Sequence, residues 1–160
     1  MSTKNIIVKE ISDYAEMEKI ILKFKDTFFL RAITCEEHRA AFIKKHLEYG
    51  HFLAEYHNGI PVGFISFYSN DIENKKAFVT SLSLSDELGF LKGKTLMRLL
   101  KNGYQIAASK GMQTVGLEVE SNNYKAIKLY KHFGFEFVQS SDEKTRLMEI
   151  QLNKLKQIAI

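Results

Sequence analysis

The sequence predicts an α/β fold with a mixed, mostly antiparallel sheet of about six to seven strands flanked by about four helices. Three observations carry this expectation. Runs with strand-type alternation are interleaved with runs of helical period along the whole chain. Asn58-Gly59 separates two such strand runs, and that dipeptide supplies the two positive φ angles of a tight hairpin turn. A strand–helix–strand segment from Phe78 to Val119 calls for a parallel, right-handed crossover, which an all-antiparallel sheet cannot contain.

The elements follow in order. "NIIVKEI" is rich in β-branched residues and reads as the first strand. "SDYAEMEKIILKFKDTFF" reads as a helix capped by Ser12 or Asp13, with Tyr14, Met17, Ile20, Ile21 and Phe24 on one face. "TCEEHRAAFIKKHLEYG" opens with Thr34 and has Glu37 three residues on, the pattern of a capping box, and ends near Gly50. "HFLAEY" and "IPVGFISFY" form the hairpin, and the polar turn "SNDIENKK" leads into the strand "AFVTSLSLS". A long helix is expected from near Lys94 to about Lys110, stopped by Gly111. "QTVGLEV" is a short buried strand. "SNNYKAIKLYKHFG" is a helix started by Asn and stopped by Gly134. "FEFVQ" and "TRLMEIQL" are the last strands, and the tail "NKLKQIAI" ends a strand, forms a short helix or frays.

The chain has 160 residues, 45% hydrophobic and 26% charged, as expected of a soluble globular domain. No repeat, linker or low-complexity tract divides it, so a single domain over residues 1–160 is expected. No apolar run reaches the length of a membrane span and the first residues lack a signal-peptide core, which points to a cytoplasmic protein without membrane partners. The single Cys35 cannot form an internal disulfide and is expected to be a small buried hydrophobe packed in a helix. The net charge of +4 favours an anionic ligand, but the lysines form no basic block with interleaved aromatics, so nucleic acid is not an expected partner.

Chemistry concentrates in the second half. The strand "TSLSLS" leads through "LGFLKGK" to a long helix, and a helix N-terminus offers unpaired N–H groups to a pyrophosphate, with Lys92 and Lys94 beside it. The strand "GLEVE" then leads to a helix that places Asn123, Ala126 and Tyr130 within two turns. Two neighbouring parallel strands that diverge at their ends would open a crevice for a ligand.

The stretch "LEVESNNYKAIKLYKHFGFEFV" resembles the second cofactor-binding motif of the GCN5-related N-acetyltransferase (GNAT) superfamily, N-x-x-A-x-x-L-Y-x-x-x-G-F. The order of elements is similar to that family over nearly the whole chain; Met1 to Gly50 matches by pattern alone. The resemblance implies acetyl-CoA as co-substrate, no metal, and a primary amine that attacks the thioester directly. It implies that backbone groups of Leu82, Ser83 and Leu84 pair with the pantetheine arm. It implies that N–H groups from Lys92 through Gly93, Lys94 and Thr95 to Leu96 hold the pyrophosphate. Asn123, with Ala126 on the same helix, would contact the cofactor arm, and Tyr130 would protonate the leaving thiolate.

The loop "LGFLKGK" before the long helix departs from the family's Q/R-x-x-G-x-G/A, whose positions here hold Leu91, Lys94 and Leu96. Leu96 would push a side chain toward the phosphates unless its rotamer turns into the core. The two lysines would compensate by charge pairing. Where many members carry a strand carboxylate, this chain has Thr80. Glu118 on the next strand is the alternative base, acting through water, against a reading as a solvent-facing residue. His51 and Glu55 read as structural or solvated.

The function expected is acetyl transfer to a small primary amine, an amino sugar or sugar nucleotide being one candidate. Acceptor-reading residues are expected in "FKDTFFLRAITCEE", where Arg31 suits a phosphate. A polyamine or a protein N-terminus is a further acceptor class. The alternative is a degenerate, non-catalytic domain of the same fold that senses acyl-CoA or binds a partner. A Rossmann-type nucleotide domain fails because no G-x-G-x-x-G follows the first strand. A homodimer is the expected assembly.

Overall fold

The computed structural model describes residues 5–25, 35–138 and 144–159, with side chains described up to residue 155. Arg31 and Thr34, with most of the stretch expected to read the acceptor, lie outside the described residues. The described elements are β1 (Ile6–Glu10), α1 (Tyr14–Lys23), α2 (Glu36–Tyr49), β2 (Gly50–His57), β3 (Ile60–Asp71) and β4 (Lys76–Leu84). A 3₁₀ helix (Asp86–Leu91) follows, then α3 (Lys92–Ser109), β5 (Thr114–Glu120), α4 (Tyr124–His132), β6 (Glu136–Val138), β7 (Thr145–Gln151) and α5 (Leu152–Ala159).

The seven strands form one sheet in the order β1-β2-β3-β4-β5-β7-β6. Five neighbouring pairs are antiparallel, and β4–β5 is parallel, as the crossover required. The hairpin turn has Asn58 at φ 51° and Gly59 at φ 80°. One face of the sheet carries α1 and α2 over Phe52, Ala54, Tyr56 and Phe64. The other carries α3 and α5 over Leu53, Ile65, Ala77, Leu117 and Met148. Phe52 and Phe64 are fully buried and stack at 4.6 Å. Each such side chain contributes about 1.5–3 kcal/mol by leaving water.

Several local expectations need correction. The N-cap of α2 is Cys35, whose side chain makes no capping bond, so the helix starts one residue later than a Thr34 cap would place it. Cys35 is exposed there rather than packed in a helix, because a cap position precedes the first turn and points away from the core. The "loop" after β4 is a 3₁₀ helix with Ser85 as its cap, and α3 begins at Lys92. The chain can turn between the two because Gly89 takes φ 55° and ψ −126°, a conformation open only to glycine. The tail takes the helical one of its three expected forms, as a fifth helix: Leu152 and Leu155 lie three apart and both are buried against the α3 side of the core. Among the described residues no helix is long and apolar enough to cross a membrane.

Candidate functional site

The crevice comes from a break in strand pairing. β4 and β5 pair from Lys76↔Thr114 to Val79↔Leu117 and then part, although β4 continues to Leu84 and β5 to Glu120. A bulge in β4 sits at the parting point, where Ser66 pairs with Ser81 and Phe67 with Val79, leaving Thr80 as the extra residue. The edge of β4 beyond Val79 is therefore without a β5 partner.

The N-termini of α3 and α4 fill out the opening. It is a cleft of about 550 Å³ lined by Leu82, Ser83, Leu84, Lys92, Gly93 and Leu96 on one side and by Asn123, Ala126 and Tyr130 on the other. Lys125, Lys128 and His132 stand at its rim, so the surrounding charge suits an anion. The cleft brings together nine of the residues singled out from the sequence. Leu91, Lys94, Thr95 and Glu118 do not line it.

The first turn of α3 is narrower as an anion site than the sequence suggests. The Lys92 N–H turns back to the Gly89 carbonyl. Helical bonding commits the N–H groups of Thr95 and Leu96 to carbonyls four residues earlier, which leaves Gly93 and Lys94. A Cβ on Gly93 would meet nothing within 4 Å, so the backbone is open to the cleft at that point. Leu96 is 1% exposed and its side chain belongs to the core, so it does not block the approach. Lys92 Nζ already holds Asp86 Oδ1 at 2.6 Å, which lowers the Asp86 carboxyl below its usual range.

Thr95 faces the opposite way. Its hydroxyl donates to Glu55 Oε2 at 2.6 Å. Glu55 is fully buried and also accepts from both Nε and Nη2 of Arg98 and meets His57 Nε2 at 2.8 Å. Burial opposes the charge on Glu55, but the bonds from Arg98, Thr95 and His57 outweigh it and hold the carboxyl below its ordinary value. Glu55 is thus structural, and it ties the start of α3 to β2, opposite the bulge that β3 makes at Val62. His51 is structural as well, bonded to Glu10 at 2.7 Å and stacked on Phe67.

On α4, Asn123 caps the helix through its side-chain oxygen, which accepts from Ala126 N at 3.2 Å. Its amide N–H₂ is the part left for a ligand. Tyr130 is placed by the end of the same helix. Gly134 takes φ 100°; its N–H reaches the Lys131 carbonyl and the Phe135 N–H reaches the Tyr130 carbonyl, both at 3.0 Å. This is a Schellman motif, with the Phe135 ring edge-on to Tyr130 at 5.9 Å as its apolar contact. The spacing Tyr-x-x-x-Gly-Phe is therefore a device that fixes the tyrosine. Burial raises the Tyr130 pKa, so the hydroxyl stays protonated. Ser83 Oγ is buried and has no hydrogen-bond partner among the described residues.

Glu118 is exposed on β5, on the sheet face opposite to Leu117 and Val119. It is the first β5 residue beyond the last paired position, Val79↔Leu117. A feature the sequence reading missed lies beside Thr80. His46 of α2 is buried, stacks between Phe42 and Tyr68, and bonds Thr80 Oγ1 at 2.7 Å.

A sheet split between its parallel strands, with a helix N-terminus on one side and a capped helix carrying a protonated tyrosine on the other, defines an acyl-transferase frame. The chain belongs to the acetyltransferase (GNAT) family, whose model matches residues 17–135. Solved structures agree in fold. The chain is 21% identical to PaiA N-acetyltransferase from Thermoplasma acidophilum in complex with coenzyme A, with a TM-score of 0.70 over 92% of this chain and 99% of that one. It is 22% identical to the N-acetyltransferase PseH of Campylobacter jejuni, with a TM-score of 0.61 over 91% and 97%. It is 18% identical to YncA of Salmonella typhimurium with acetyl-CoA, with a TM-score of 0.64 over 92% and 94%. No curated protein matches the sequence significantly.

Proposed function

We propose that the protein transfers an acetyl group from acetyl-CoA to a primary amine of a small molecule, both bound at once. The observation that carries this reading is the cleft at the β4–β5 split, with Gly93 open at its α3 end and Tyr130 in its α4 wall. Acetyl-CoA supplies the activated thioester. The unpaired edge of Leu82, Ser83 and Leu84 binds the extended arm in the manner of an added strand. Gly93 and Lys94 N–H groups face the pyrophosphate, and the Asn123 amide holds the arm from the other side. Tyr130 Oη donates its proton to the departing sulfur. Glu118, the first β5 residue past the split, takes the proton of the amine through water. An amino sugar or sugar nucleotide is the acceptor class we favour, and a homodimer the assembly.

Calorimetric titration of acetyl-CoA, with thiol release monitored over a panel of an amino sugar, a diamine and a peptide amine, tests the reading. Binding with turnover on one class is expected. Tyr130→Phe should then lower kcat at least tenfold while acetyl-CoA affinity holds. Unchanged turnover would remove Tyr130 from the acid role, and binding without turnover on any amine would favour the non-catalytic alternative.

A further inference from the structure

The polarity of the hydroxyl cluster at the β4 bulge can be worked out atom by atom. His46 Nδ1 lies 2.8 Å from the Phe42 carbonyl oxygen, which cannot donate, so Nδ1 carries the proton. In a neutral ring Nε2 is then an acceptor, and Thr80 donates to it at 2.7 Å. That uses the only hydrogen of Thr80. Ser66, 2.7 Å from Thr80 Oγ1, must therefore be the donor of that pair. Its own hydrogen is then spent, so Ser81 donates to Ser66. Every hydroxyl hydrogen in the cluster points toward His46, and each link is fixed by the one before it.

The consequence falls on Thr80. Its oxygen donates once and accepts once from Ser66, which leaves one lone pair. Thr80 is only partly buried, unlike Ser66 and Ser81. It also stands two residues before Leu82, about 7 Å along the strand. A nitrogen bonded to Thr80 at about 3 Å has room to lie within reach of a carbonyl held at Leu82.

We infer that Thr80 Oγ1 is the acceptor that grips an N–H of the incoming amine, and that His46 is a positioning residue that keeps this oxygen from acting as a donor. The inference rests on the acetyl-transfer reading above. It supplies a polar contact at the strand position where the carboxylate is missing. With one N–H drawn toward Thr80, the nitrogen lone pair is turned to the thioester. A ligand that presents only acceptors at this point meets a lone pair and is rejected.

The neutral ring is stable in its setting. Burial lowers the His46 pKa to about 4, the Phe42 carbonyl works against that shift, and Lys45 adds to it. From β3 the group that faces the ring is the Tyr68 hydroxyl, 3.5 Å from Nδ1, and from β4 it is Thr80. Glu18 of α1 is engaged with Arg39 at 3.1 Å. The chain direction therefore holds at neutral pH.

The test uses the full chain, acetyl-CoA and whichever amine of the panel is turned over. Thr80→Val keeps the shape and removes the acceptor; kcat/KM for the amine should fall at least tenfold with acetyl-CoA affinity unchanged. Thr80→Ser should restore it to within about threefold. His46→Phe keeps a ring between Phe42 and Tyr68 and should also lower kcat/KM for the amine at least fivefold. Nitrogen NMR of the His46 ring should show the Nδ1–H tautomer with no titration above pH 5. Full amine kcat/KM in Thr80→Val beside an active wild type, or an Nε2–H tautomer, would overturn the inference. A wild type inert on every amine would instead overturn the acetyl-transfer reading beneath it.

Discussion

Two buried polar clusters lie on opposite faces of the same sheet, and they are built on opposite principles. Under α3, Glu55 is charged and held by Arg98, Thr95 and His57. Under α2, His46 is neutral and heads a chain of hydroxyls. The charged cluster converges on one carboxylate and so has no direction. It locks the start of α3 to β2. The neutral cluster is a line, and a line of single-hydrogen donors has a head and a tail. The first arrangement suits a scaffold; the second can present one chosen lone pair, that of Thr80 beside its head.

The comparison breaks most visibly at Arg98. Its side chain is 36% exposed, whereas Glu55 has no exposure. Arg98→Leu therefore strands a buried carboxylate and should cost about 3–5 kcal/mol in urea unfolding. Adding Glu55→Leu should recover part of that loss, because it removes the uncompensated charge but leaves the buried Thr95 hydroxyl and His57 without their acceptor. A double variant as unstable as the single one would show that the charge itself is required.

Acid separates the clusters next. His46 is depressed in the folded state, so the unfolded chain binds the extra proton between about pH 6.5 and pH 4, and stability falls across that window by about 3 kcal/mol. Glu55 is depressed as well, and its contribution is lost only as pH falls below the ordinary carboxylate range through its lowered value. The neutral cluster should thus fail first. A urea midpoint that stays flat from pH 6.5 to 4.5, or falls equally in His46→Phe, would contradict this order. The smallest effect belongs to Ser66→Ala, which removes a middle link between neutral groups and should cost about 1 kcal/mol by the same measurement.

How much of this the sequence revealed depends on whether a residue's job is local. Asn58-Gly59, Gly111 and Gly134 act through their own backbone angles, and each stands where the sequence placed it. Asn123 as the start of α4 and Gly134 as its stop were legible for that reason, an N-cap and a Schellman motif being short-range devices, whereas Tyr130 stood out through the family motif. Gly89 is also local, yet nothing around it in the sequence marks the junction of a 3₁₀ helix with α3 at which its positive φ is needed. Glu55 and His46 could not be read. Glu55 sits near a turn and looks solvated until Arg98, 43 residues away, reaches it. His46 reads as a cation in the last turn of a helix until Thr80 arrives from 34 residues on. Leu96 was ambiguous because a helix start can face a cleft or a core, and only the packing of α3 on the sheet decides between them.

The parting of β4 from β5 also turns the ligand into a piece of the architecture. Beyond Val79 the sheet lacks a rung for as long as the cleft is open. An extended thioester arm laid along Leu82–Leu84 would replace that rung with its own amides. The protein then carries a built-in gauge of occupancy. Those backbone amides between Thr80 and Leu84 that point away from β3 should exchange with solvent freely in the free chain and slow when the cleft is filled, while those bonded in the β2–β3 and β3–β4 ladders keep one pace throughout.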